Sequence, residues 1–92
     1  MNDAQRIVRI RSALQQSLAP ARLDVEDESH LHAGHAGARD GRGHFRVHIV
    51  SDAFAGMLPL ARHRAVYAAL GTMMETDIHA LSIHARTPGE AA

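Results

Sequence analysis

The segment His30-Leu31-His32-Ala33-Gly34-His35 sets three imidazoles within six residues, among glycines and alanines that offer little to pack the rings into a core. Imidazole titrates near neutral pH and is the commonest protein ligand for transition metals. The chain holds eight histidines and no cysteine. Disulfides, thiol nucleophiles and thiolate ligands supplied by this chain alone are therefore excluded, and any sulfur ligand must come from a partner. An H-x-H-x-x-H spacing in a Gly-rich stretch fits a self-contained Zn, Ni or Cu site using the loop alone, and equally a solvated loop in which His30 and His35 are spectators. Gly34-His35-Ala36-Gly37 matches the GXXG backbone clamp of KH domains, but it falls between two strands rather than two helices and reads as accidental.

The elements that must position these rings follow from periodicity. Asp3 to Leu18 places Ile7, Ile10, Leu14 and Leu18 on one helical stripe, with Asn2 or Asp3 as cap and Pro20 beyond the end. Arg22 to Glu28 alternates, Leu23 and Val25 against the acids Asp24, Glu26 and Glu28, as in a half-buried strand with a solvated face. Residues 29–43 hold four glycines and three histidines without periodicity, a long mobile loop. His44 to Val50 is the second strand, with Phe45, Val47 and Ile49 inward and His44, Arg46 and His48 outward.

Ser51 to Gly56 reads as a turn in which Phe54, Gly56 and, further on, His63 are structural, Gly56 permitting the tight turn. Pro59 opens a second helix running to about Glu75, with Leu60, His63, Tyr67, Leu70 and Met74 on its inner stripe and exposed Arg62 and Arg64 flanking His63. Ile78 to Arg86 forms the last strand, in which His79 shares the parity of Leu81, Ile83 and Ala85, and residues 87–92 are expected to fray. His44, His48 and His84 read as surface residues.

The order predicts an α+β fold, αββαβ, with helices on one face of a three-stranded mixed sheet. A hairpin makes the first pair antiparallel, and a crossover through a helix makes the second pair parallel. The loop feeds the start of strand two and strand three starts at the same end, so His79 is expected beside His30, His32 and His35. At 92 residues, 1–92 is a single small domain with one core and no room for a deep pocket. No Ser/His/Asp order or paired-carboxylate signature is present, so an enzyme is not expected. Ten arginines balance ten acids and there is no lysine, which argues against a dedicated nucleic-acid binder while leaving room for a local basic patch. No apolar run approaches a membrane span and the first residues lack the apolar stretch of a signal peptide, so a cytoplasmic protein without membrane contact is expected.

Val25-Glu26-Asp27-Glu28-Ser29, His44-Phe45-Arg46-Val47, Val50-Ser51-Asp52, Phe54-Ala55-Gly56, Arg62-His63-Arg64 and His79-Ala80-Leu81-Ser82-Ile83-His84 together resemble the BolA family over nearly the whole chain. The resemblance implies the αββαβ fold related to the type II KH domain. It also implies partnership with a monothiol glutaredoxin and a [2Fe-2S] cluster shared across the heterodimer. By position, His79 resembles the family's C-terminal cluster ligand and His32 the loop ligand, with His35 the alternative. The glutaredoxin cysteine and a glutathione thiol would complete the set, and the isolated chain, a monomer or weak homodimer, would carry no cofactor. Some family members are linked to transcriptional control through DNA, for which Arg62 and Arg64 are the candidates here.

Overall fold

The computed structural model describes residues 3–29 and 42–92, and its first element shows how the apolar spacing is used. In helix α1 (Asp3–Leu18) Ile10 and Leu14 are fully buried, with Ile7 and Leu18 packed at the core's edge. Ala19 ends it with φ 43°, a left-handed conformation, just before Pro20. Strands β1 (Arg22–Asp27), β2 (Gly43–Val50) and β3 (Ile78–Arg86) form one sheet in the order β1-β2-β3. β1 and β2 are antiparallel and β2 and β3 parallel, as the connections predict. Phe45, Val47 and Ile49 of the central strand turn inward against Ile10 and Leu14, and Leu23, Phe54, Val66, Leu70, Met73, Ile78 and Ile83 complete the core.

Four expectations are corrected. The second helix stops at Leu70 (α2, Pro59–Leu70), because Gly71 takes φ 57° and donates its N–H to the Tyr67 carbonyl; a separate turn, α3 (Met73–Thr76), follows. The buried stripe of α2 is Val66 and Leu70 with Ala65 and Ala69 alongside, while Leu60 is 61% and Tyr67 40% exposed and His63 only half-buried. Leu70 faces inward as expected, but the stripe runs through residues 65, 66, 69 and 70, which turns Leu60 and Tyr67 away from the core.

The chain end is not frayed. Thr87 caps a last turn, α4 (Pro88–Ala91), in a reciprocal box with Glu90, and Glu90 pairs with Arg62. Arg62 is correspondingly not an exposed arginine: its side chain is 13% exposed and donates to the carbonyls of Met57 (2.9 Å) and Ala85 (3.2 Å) as well as to Glu90. The turn before α2 behaves as expected. Ser51 Oγ accepts from the Ala53 N–H and donates to the Leu18 carbonyl, Phe54 is fully buried, and Gly56 has φ 77°.

Candidate functional site

The site is assembled where β2 and β3 start. Gly43 pairs with Ile78, but His44 pairs with Ala80, so His79 is an extra residue in a bulge. A bulge re-aims a side chain without disturbing the strand beyond it. Ile78 therefore enters the core and is fully buried, while His79 is exposed, which corrects the expectation that His79 shares the inward parity of Leu81 and Ile83. The His79 ring lies 5.1 Å, centroid to centroid, from that of His44, at an interplanar angle of 51°. His44 is not a surface residue: it is 7% exposed, because β2 is the central strand, flanked on both sides, and the His79 ring leans against it.

Both ends of the histidine-bearing segment arrive here. At one end Ser29 Oγ accepts from the His44 N–H at 3.1 Å, and Glu28 donates its N–H to the His44 carbonyl at 2.7 Å. At the other end Arg42 places a guanidinium nitrogen 3.2 Å from His79 Nδ1, and Gly43 donates its N–H to the Asp77 carbonyl at 2.9 Å. A guanidinium has only donors, so Nδ1 accepts and a neutral His79 ring carries its proton on Nε2. His30, His32 and His35, and all of the 29–43 loop save its outermost residues, lie outside the described residues. Of the expected ligands, the structure thus places His79 at the mouth of the loop. Among the described residues no group of three or more His, Asp or Glu side chains converges on a metal position.

The floor of the site is rigid for identifiable reasons. A Cβ added to Gly43 would stand 2.5 Å from the buried Phe45 ring and 3.2 Å from Ser29 Oγ, so only glycine fits between them. Asp77, 6% exposed, joins this corner to α1 through Arg9 (3.2 Å) and Arg6 (3.5 Å), and accepts a hydrogen bond from the neighbouring Thr76 hydroxyl (2.8 Å). Burial works against its charge, but the Thr76 hydrogen bond and the two arginines outweigh it and hold the carboxyl below its ordinary value. Beside His79 a shallow depression of about 400 Å³ runs over His44, Ala80 and Ser82 to the Glu28–Arg46 ion pair (3.1 Å).

Arg42, Gly43, His44 and Asp77 are not assigned to the site by the sequence reading. One signal was present: a glycine two residues before an aromatic on one strand face is a place where a ring covers backbone. The candidate arginines separate, since Arg64 is exposed while Arg62 is committed to the chain end.

The chain matches the family model described as BolA-like protein over residues 14–90. It is 47% identical over 89 residues to Protein BOLA1, chloroplastic, of Arabidopsis thaliana, covering 94% of this chain and 56% of that protein; it thus spans little more than half of that relative's length. It is 40% identical over 79 residues to the DNA-binding transcriptional regulator BolA of Escherichia coli, covering 86% of this chain and 72% of that one. Among solved structures, the BolA domain of SufE1 from Arabidopsis thaliana superimposes with a TM-score of 0.83 at 43% identity, covering 98% of both chains. With the mixed sheet, the helical face and the strand-start histidine already in place, the chain belongs to the BolA-like protein family.

Proposed function

We propose that this chain is a non-catalytic cytoplasmic adaptor that binds a monothiol glutaredoxin and shares a [2Fe-2S] cluster with it, in iron-sulfur cluster assembly, trafficking or iron and redox signalling. The observation that carries this reading is the position of His79, exposed on its bulge between the two ends of the segment that holds His30, His32 and His35. The donor set fits half a cluster. Two imidazoles can replace two thiolates at one iron, as in Rieske centres, and a chain without cysteine needs outside thiols for the rest. His79 and His32, with His35 as alternative, are this chain's ligands; a glutaredoxin cysteine and glutathione complete them, and the isolated chain holds no cluster of its own.

The chain's own residues set the terms of exchange. Arg42 holds Nδ1 of His79, so ligation through either ring nitrogen requires the guanidinium to swing away, freeing Nδ1 for the metal or for the ring proton. Only the neutral ring ligates, so loading weakens as pH falls. The depression beside His79 gives a partner a shallow footing rather than a deep pocket.

Anaerobic reconstitution with a monothiol glutaredoxin, glutathione, iron and sulfide tests the reading. A cluster absorption spectrum is expected that changes in His79→Ala and in the His32→Ala/His35→Ala pair. A spectrum indifferent to both overturns the ligand assignment, and failure of the two proteins to associate overturns the partnership.

A second reading is a DNA-binding regulator, favoured by the name of the Escherichia coli relative and by the exposed Arg64. Specific promoter binding whose salt slope falls by about 1 in Arg64→Ala is expected of it. Absence of binding removes it.

A further inference from the structure

The sheet face turned away from the helices carries its side chains in cross-strand rows. Register sets Asp24 opposite His48 and His48 opposite His84, so one carboxylate and two imidazoles lie in a single row across the three strands. The His48 and His84 rings are stacked, centroids 4.5 Å apart and planes within 7° of parallel. They line an open trough of about 490 Å³ together with Asp24, Glu26 and Arg86. Neither ring packs into the core, and neither belongs to the His79 corner: the row lies four residues along β2 from His44 and five along β3 from His79.

We propose that His48 and His84 form a two-imidazole binding site for a borderline divalent cation of the Zn²⁺, Ni²⁺ or Cu²⁺ class, separate from His79 and the loop histidines. Imidazole suits these ions, whereas Mg²⁺ and Ca²⁺ require cages of oxygen ligands. Adjacent hydrogen-bonded strands fix both backbones, so chelation costs only rotation of two side chains. With Zn–N near 2.0–2.1 Å, two nitrogens on a tetrahedral ion stand about 3.4 Å apart. In the stack the ring planes are within 7° of parallel and their lone pairs do not converge, so binding requires both rings to turn out of the stack about their side-chain torsions until one nitrogen of each points at a common ion. Asp24, now bonded to Arg22 at 3.2 Å, is the carboxylate of the same row; with Glu26 it offsets the charges of Arg22 and Arg86 at the trough, so the imidazole pair rather than the local field selects the ion. Solvent fills the remaining positions, which makes this a bidentate chelate rather than a closed structural site.

The test is titration of the full chain with Zn²⁺ alone, read by calorimetry and by ring-resolved ¹H–¹⁵N imidazole spectra. It is done on the unaltered chain and on a variant with His30, His32, His35 and His79 replaced by Gln, whose folding is checked by circular dichroism. One equivalent is expected at ring nitrogens of His48 and His84, with His44 and His63 unmoved. His48→Val or His84→Gln should weaken that event by about 100-fold, the usual scale for losing one arm of an intramolecular pair. Zn²⁺ that leaves both rings unshifted, or binding unaffected by His48→Val, overturns the proposal. If the four-residue variant does not fold, the ring-resolved spectra of the unaltered chain decide the same question. Glutaredoxin-dependent cluster assembly should be unchanged in His48→Val, so failure of this site and failure of the His79 reading are told apart.

Discussion

Asp77→Asn tests how the corner that carries His79 is held. The amide keeps the shape and the Thr76 contact but removes the charge facing Arg6 and Arg9. The two arginines do not weigh equally. Arg9 is 47% exposed, and such pairs contribute about 0–1 kcal/mol. Arg6 is 13% exposed and its guanidinium forms an ion pair at 3.5 Å with a carboxylate that is itself buried, so removing the charge leaves a buried cation without its counter-ion, at a cost of about 1–3 kcal/mol. The variant should therefore lose about 2–3 kcal/mol at pH 7. For a domain of this size that corresponds to a melting temperature lower by roughly 10–20 °C. The sign of the pH dependence follows from the lowered native pKa. The carboxylate's contribution is complete above the ordinary value of 3.8 and is lost as pH falls below it through the native value. The gap between the two proteins, measured by urea unfolding followed by circular dichroism, should shrink between pH 5 and pH values below about 3.8. A melting temperature within about 3 °C of the parent at pH 7, or a gap that persists undiminished in acid, would refute this account.

Three further outcomes are expected. Phe54→Ala should cost about 3–5 kcal/mol in chemical denaturation, since its fully buried ring fills the turn between β2 and α2. Ala19→Gly should raise stability by about 0.5–1 kcal/mol, because the left-handed position after α1 strains a Cβ by more than the added freedom of glycine in the unfolded chain costs. Arg62, with the Thr87 backbone, holds the Glu90 carboxyl at about 2, against an ordinary 4.5. The contacts of α4 should therefore persist through pH 4.5 and disappear only as pH falls toward 2, as read from the carboxyl titration of Glu90 by NMR. In Arg62→Ala that titration should return toward 4.5.

The αββαβ order, the strand directions and the meeting of His79 with the loop ends were legible because alternation, helical spacing and crossover geometry each point the same way. The bulge was not, since it is a property of pairing: the mismatch between Gly43 and His44 opposite Ile78 and Ala80 shows only when two strands distant in sequence are laid together. On α2 the expected Leu70 does face inward, but the buried stripe runs through Ala65, Val66 and Ala69 beside it, which leaves Leu60 and Tyr67 on another side of the helix; apolar spacing allows either choice. The order of the chain end is legible only in part. Thr87-Pro88-Gly89-Glu90 is a capping box with proline at the first helical position, but its anchor, Arg62, is 28 residues away and could not be inferred from local pattern.

The bulge also decides which properties of the protein can change independently. Ile78 and Ile83 keep the core in register while residue 79 stands outside the ladder, so replacing His79 should leave stability almost untouched even as it alters what the corner can bind. Residue 79 is thus open to exploration by mutation at little risk to the fold, whereas Gly43 across from it, wedged under Phe45, has no such latitude. Binding chemistry at this corner can diverge between related chains through one side chain, without a compensating change in the core.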